Sequence, residues 1–326
     1  MTATVIDLLA DVARRAAHHH RPPGAPCDGC GRDAVVLAAE DDGIVVRHGS
    51  AVAKAHDAAT DHDGHRARLA VARHPRLAGI LLAPLAAPVP DAPGRPVTAW
   101  PYGRPVDPGD PDAAPWEEAA TLLARLHSIE PDSLPGPIPP MRGPAKAARA
   151  VARMRALAGS RPAASAVERA WARLPAWARD EAPSPGAAAL CHGDLHLGQL
   201  VRHPDPAGPW LLIDVDDLGL GDPAWDLARP AAWYAAGLLP PEIWDRFLGA
   251  YRAANGRALG DPSAAPGDPW PQLDVPARAL TIQTAALSLA KAAAQHREPD
   301  EVEQAVLDTC ARIAGLPPEL ESPPPS

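Results

Sequence analysis

Two short apolar runs, Leu190–Leu200 and Leu211–Ile213, limit this chain more tightly than any other feature. About a dozen residues separate them, and the connection His203–Gly208 is rich in Pro, Asp and Gly. Runs of this length bounded by turn residues predict two short strands of a hairpin. The first carries His192-Gly193-Asp194-Leu195-His196 and then Gln199. The second continues into Asp214-Val215-Asp216-Asp217. One end of the hairpin therefore gathers carboxylates, imidazoles and an amide. Such a set can hold a divalent cation and position a hydroxyl for phosphoryl transfer, a reaction that needs placement and charge neutralisation more than covalent chemistry.

The remainder reads as a β-rich start and a helical remainder. Val5, Leu8, Leu9, Val12 and Ala16 recur at helical spacing over 3–17. Residues 18–33 read as a loop. Strands are predicted at Ala34–Ala38, Ile44–Arg47 and Ala51–Ala55, with turns at Asp41-Asp42-Gly43 and His48-Gly49-Ser50. A polar helix over Asp63–Arg73 precedes strands at Ile80–Leu82 and Val97–Trp100. Arg104–Pro115 reads as a linker. Helices follow over 116–129, 145–158, 162–180, 223–236, 240–254, 274–295 and 299–314. Residues 317–326 read as a disordered tail.

Charge and cysteine usage exclude some functions. The net charge is −9, and residues 181–326 carry 9 basic against 20 acidic residues. An acidic half repels nucleic acid and suits a cationic or neutral small molecule, although acids also simply keep a surface soluble. No run reaches the roughly 18 apolar residues needed to cross a bilayer. Asp7 and Asp11 interrupt any secretory signal. Four cysteines cannot staple 326 residues, so a reduced, cytoplasmic setting is expected. Cys27 and Cys30 have zinc-knuckle spacing, with His18, His19 and His20 upstream. A second CxxC is missing, so a loop with two thiols is the expectation.

The quoted motifs resemble a known family. His192-Gly193-Asp194-Leu195-His196 and Ile213-Asp214 resemble the catalytic loop and metal motif of the aminoglycoside phosphotransferase and choline kinase-like superfamily of small-molecule kinases. The usual pattern is HGDxHxxN followed by ID. Gln199 stands at the Asn position, similar to the HGDxHxGQ form of maltokinase-like members. Gly221-Asp222-Pro223-Ala224-Trp225-Asp226-Leu227-Ala228 matches the GDPxxDLA segment of many members.

The resemblance implies a bilobal, protein-kinase-like α/β (α+β) fold with a small β-rich N-lobe and a larger helical C-lobe. The expected boundaries are 1–103 for the nucleotide-binding lobe, 104–115 for the hinge linker and 116–316 for the catalytic and substrate lobe. It implies Asp194 as catalytic base, Gln199 and Asp214 as Mg2+ ligands, and Lys54 on the nucleotide phosphates. Trp100 and Tyr102 fall at the adenine-binding hinge. Asp226 is implied to brace the catalytic loop. Each has a plainer alternative: Asp194 could cap a turn, Gln199 could face solvent, and Lys54 could be an edge lysine. His196 reads as structural, and Asp216 and Asp217 stay open between a second metal and substrate.

Two features depart from the family. No Glu lies between Glu40 and Glu117 to pair with Lys54, so Asp61 or Asp63 would substitute. No GxGxxG loop is present. The expected activity is transfer of the γ-phosphate of ATP or GTP to a hydroxyl of a small molecule, an aminoglycoside or other antibiotic among the candidates. A sugar or metabolite kinase and a pseudokinase nucleotide-binding module are the alternatives.

Overall fold

A computed structural model describes residues 2–19, 29–40, 43–86, 92, 94–185, 188–260 and 267–315. Cys27, His20, the Asp41-Asp42 turn and the 317–326 tail lie outside the described residues. The chain forms two compact units that interleave in sequence. One comprises Met1–Pro115, Asp132–Pro139 and Leu197–Asp216. The other comprises Trp116–Pro131, Pro140–His196 and Asp217–Ser326.

The first unit is built on an antiparallel sheet. Helix α1 (Thr2–His19) precedes β1 (Val35–Glu40), β2 (Gly43–His48) and β3 (Ala51–Ala55). Then come α2 (His62–Ala72) and β4 (Val97–Pro101), and the sheet order is β1-β2-β3-β4. Leu9, Val12, Ala13 and Ala16 of α1 are buried against Ala51, Ala53 and Ala55 of β3. Burying one Leu side chain such as Leu9, fully inaccessible here, contributes about 2 kcal/mol. Because strand side chains alternate, the residues between those alanines, Val52 and Lys54, face away from α1. That alternation sets the side of the sheet on which Lys54 stands.

Ile80–Leu82 forms a single parallel bridge, Leu81 with Leu212, in place of a strand. Gly79, at φ 73°, turns the chain just before it, and Pro84, lacking an N–H, follows soon after. Within the 104–115 stretch, β5 (Arg104–Pro105) pairs with the later β7 (Leu200–Arg202), which in turn pairs with β8 (Trp210–Leu212).

The second unit is helical: α3 (Trp116–His127), α4 (Gly143–Ala158) and α5 (Ala164–Ala172), then α6 (Ala224–Ala235), α7 (Pro241–Ala253), α8 (Trp270–Ala294) and α9 (Glu301–Ala314). The helix expected over 162–180 stops at Ala172, because Pro175 disfavours a helical Leu174 and cannot donate. Helix α9 starts with a reciprocal cap between Asp300 and Glu303. A two-stranded ladder, β6 (Ala189–Cys191) with β9 (Gly219–Gly221), completes this unit. No described helix is long and apolar enough to cross a membrane.

The expected hairpin is present as β7 with β8, but the first half of its first run belongs to a second ladder, β6 with β9. Leu200 faces Leu212 in one, and Leu190 faces Leu220 in the other. Gly193, at φ 85°, turns the chain out of β6 after Cys191, and this divides the run that reads as one strand.

Candidate functional site

The loop after β6 is held by one buried acid. Asp226, in the first turn of α6 and fully inaccessible, accepts the backbone N–H of His192 and of Gly193, both at 2.7 Å. His127 Nε2 lies 2.9 Å from the same carboxylate, and His127 Nδ1 lies 2.8 Å from the Tyr251 hydroxyl. Burial alone would raise the Asp226 pKa, but His127 and these amides hold it low. The brace implied for Asp226 is therefore present. Gly193 is required here, since a Cβ would lie 2.4 Å from the Asp217 carbonyl oxygen.

This loop presents Asp194 between two cations. Lys146 Nζ of α4 donates to Asp194 Oδ2 at 2.6 Å and to Asp217 Oδ2 at 2.7 Å. The Arg229 guanidinium of α6 donates to Asp194 Oδ1 at 2.7 Å and to the Leu195 carbonyl at 3.1 Å. Burial pushes the Asp194 pKa up, yet Lys146 and Arg229 outweigh it and hold the carboxyl well below the usual range. Arg142 adds a third positive group, 3.5 Å from Asp217.

In the first unit, Lys54 finds its partners among the later acids. Its Nζ lies 2.8 Å from Asp214 Oδ1 and 2.8 Å from Asp216 Oδ2. Burial would lower the Lys54 pKa, but these two carboxylates raise it above its ordinary value. The expectation of Asp61 or Asp63 as partner is corrected. Asp61 caps α2 through the Asp63 and Gly64 amides, and Asp63 pairs with Arg66. Both acids are committed to starting the helix, where negative charge is favourable.

Strand alternation explains the neighbours of Lys54. His56 follows two positions on, and Thr98 faces Lys54 across the β3–β4 register. His56 Nδ1 lies 3.0 Å from Asp216 Oδ2, and His56 Nε2 lies 2.7 Å from Thr98 Oγ1. Burial would raise the Asp216 pKa; Lys54 and His56 hold it well below the carboxylate range. Asp214 sits at φ 63°, a left-handed conformation uncommon outside Gly, Asn and Asp, and Asp216 N approaches its Oδ1 at 3.3 Å. Ile213 N donates to the Gln199 carbonyl at 2.9 Å, so Gln199 and Asp214 leave the two strands of one ladder side by side. Both offer hard oxygen ligands of the kind magnesium takes. His56, His65 and Asp216 also bring ligand atoms within 4.8 Å of one another.

Trp100 is buried in β4, and its indole donates to Thr98 Oγ1 at 2.8 Å. Tyr102 donates its backbone N–H to the Ser50 carbonyl at 2.8 Å. Its own carbonyl lies 3.0 Å from His203 Nδ1, and its ring lies under Arg47 at 3.3 Å. Sequence reasoning missed Lys146, Arg229 and His56 as members of these clusters. Arg229 had a signal, since it lies three positions after Asp226 and so on the same helix face. Lys146 had only its rarity as one of three lysines.

Two partly or wholly buried histidines make the fold sensitive to acid. Burial, and then the neighbouring His56, holds His65 down to about 4. Burial holds His196 down to about 4 against the pull of Asp194. Both folded pKa values lie below the unfolded value near 6.5. Their contribution is therefore complete above pH 6.5 and lost as pH falls through about 4, on the order of 3 kcal/mol each. Urea midpoints should hold from pH 8 to 7 and fall between pH 6.5 and 4. A His65→Gln, His196→Gln chain should show a flatter fall; an unchanged profile would remove these residues as the cause.

An antiparallel sheet with a partnered lysine, and a helical unit with a braced, acid-bearing loop, define a protein-kinase-like phosphotransferase fold. Residues 34–267 match the sequence profile of the phosphotransferase enzyme family (APH), and the chain belongs to that family. Solved structures share its fold at low identity. A choline/ethanolamine kinase family protein from Mesorhizobium loti is 16% identical with a TM-score of 0.56, covering 95% of each chain. A thermostable mutant of aminoglycoside phosphotransferase APH(4)-Ia is 15% identical, TM-score 0.56, covering 87% of this chain and 95% of that one. Spectinomycin phosphotransferase APH(9)-Ia, in complex with ADP and spectinomycin, is 14% identical, TM-score 0.52, covering 87% and 92%. A search of curated protein sequences returned no significant match.

Proposed function

We propose that this protein transfers the γ-phosphoryl group of ATP or GTP, with Mg2+, to a hydroxyl of a small cationic or neutral molecule. The observation that carries this reading is the loop in which Asp226 clamps the amides of His192 and Gly193 and Asp194 stays ionised between Lys146 and Arg229. An Asp with so low a pKa takes a proton poorly before the reaction starts. Its role is to orient the acceptor hydroxyl and receive the proton late, as bonding to phosphorus develops. That order suits a loose transition state with little nucleophile activation. Lys54 supplies positive charge for the nucleotide phosphates. Gln199 and Asp214 would hold Mg2+, which when bound neutralises phosphate charge. The ADP held by the spectinomycin phosphotransferase supports a nucleotide as donor. In this reading the first unit would bind the nucleotide and the second would activate the acceptor. A cytoplasmic setting belongs to the same reading.

The acceptor follows from charge. The acidic residues of 181–326 favour a cation or a neutral polyol. An antibiotic fits that description, as does a sugar or amino alcohol. The test is a nucleotide-consumption assay against cationic, neutral and anionic hydroxyl compounds at low and high salt. Consumption that depends on a cationic or neutral compound supports the reading. An anion as best substrate overturns the acceptor assignment, and no consumption with any compound favours the nucleotide-binding module.

Within this reading, Asp214→Ala should abolish magnesium-dependent nucleotide binding in a titration calorimeter. Gln199→Asn should be tolerated, since the carbonyl ligand is kept. Wild-type affinity in the Asp214→Ala chain would move the metal elsewhere.

A further inference from the structure

A cluster outside the phosphoryl-transfer residues gathers the ligand types of a zinc centre. His18 lies in the last turn of α1, His48 ends β2, and Cys30 lies in the turn Gly29–Arg32. Cys30 Sγ is 3.2 Å from His18 Nε2, and the ligand atoms of all three residues lie within 4.8 Å of one another. Nitrogen and sulfur atoms bound to one tetrahedral zinc would be about 3.5 Å apart, from Zn–N near 2.0 Å and Zn–S near 2.3 Å. The cluster thus needs only small rotations to close on an ion.

The backbone is shaped to bring the thiol in. A Cβ on Gly29 would meet Gly49 N at 2.8 Å and His48 Nε2 at 3.0 Å, so only glycine lets this turn sit against the β2–β3 connection. Gly31, at φ 89°, lets the chain reverse directly after Cys30. His48 is buried, which fixes one imidazole, while His18 and Cys30 remain accessible to an incoming ion. The carbonyl end of α1 adds negative potential beside His18.

We propose that His18, Cys30 and His48 bind a zinc ion that ties the end of α1 to the β2–β3 turn. One thiolate and two imidazoles select a borderline-soft ion such as Zn2+ over the hard Mg2+ of phosphoryl transfer. Binding releases the thiol proton, so affinity falls as pH falls. The role is structural, because the ion would tie three separate segments together and none of the residues proposed for phosphoryl transfer is among its ligands; with three protein ligands the fourth position falls to water. Cys27 lies outside the described residues, and the proposal rests on the three described ligands alone.

The test equilibrates the full chain with zinc, desalts it and measures metal by mass spectrometry and a chromogenic chelator. About one zinc per chain is expected, and Cys30→Ser and His18→Gln should each weaken zinc affinity by about tenfold or more. Both substitutions are at accessible positions, and unchanged circular dichroism would show that the fold is kept. Cobalt(II) in place of zinc should give a thiolate charge-transfer band that is absent from Cys30→Ser. Zinc lost entirely on desalting, or held equally well by Cys30→Ser, would overturn the proposal and reduce the cluster to a thiol–imidazole hydrogen bond.

Discussion

Asp194→Asn is expected to lower turnover by about 10²–10⁴-fold, the usual contribution of a positioned general base, while nucleotide affinity stays within a few-fold of wild type. The side chain keeps its shape, and the residues proposed for nucleotide and metal, Lys54, Gln199 and Asp214, pair without it. What changes is charge. Lys146 and Arg229 each lose an ionised partner, and an amide nitrogen turned toward either would meet a donor. Because both cations hold the Asp194 carboxyl well below its usual pKa, protonation of this group should not limit the rate above pH 4. An acid limb at higher pH then belongs to another group. Lys146→Met should shift the Asp194 titration upward, which a pH–rate profile reads directly. Turnover near wild type in Asp194→Asn would remove it as the base.

Asp226→Asn is expected to be the most destabilising conservative change in the second unit. The wild-type carboxylate meets two backbone N–H groups and an imidazole with acceptors only. An amide must turn its NH2 toward one of those donors, inside a site with no access to water. Breaking a buried charged network in this way costs about 3–5 kcal/mol. Urea unfolding monitored by tryptophan fluorescence would measure it. Turnover should fall too, because the His192 and Gly193 amides are what hold Asp194 in place. Loss of less than about 1 kcal/mol would mean that the loop is held by other contacts.

The sequence made most elements of this fold legible, and the reason is local. The α1 stripe and the three strands around the His48-Gly49-Ser50 turn are short-range patterns, fixed by helical and strand periodicity. The brace by Asp226 was legible only through a motif, since nothing in periodicity links it to His192. The hairpin across His203–Gly208 is present as β7 with β8, but the run from Leu190 to Leu200 is not one strand: the chain turns at Gly193, β6 pairs with β9, and apolar runs do not reveal which partner each half takes. Lys54 stood out by its place in β3. Its partners did not, because they lie 160 and 162 residues away, and charge pairing at that separation leaves no local trace. The same holds for Lys146, whose carboxylate partners are 48 and 71 positions distant.

That long separation of Lys54 from Asp214 and Asp216 bears on how the protein can be cut. A fragment ending at Pro115 would contain the whole β1–β4 sheet and the helix packed on it, and by eye would pass for an independent module. It would also leave a buried ammonium with both of its counter-ions on the discarded piece. Such a fragment should be prone to misfold or to recruit foreign carboxylates, and supplying residues 197–216, by fusion or as a separate peptide, is the rational repair. Dissection at the apparent lobe boundary therefore separates a charge from its compensation, and the divisible units of this chain are the interleaved ones.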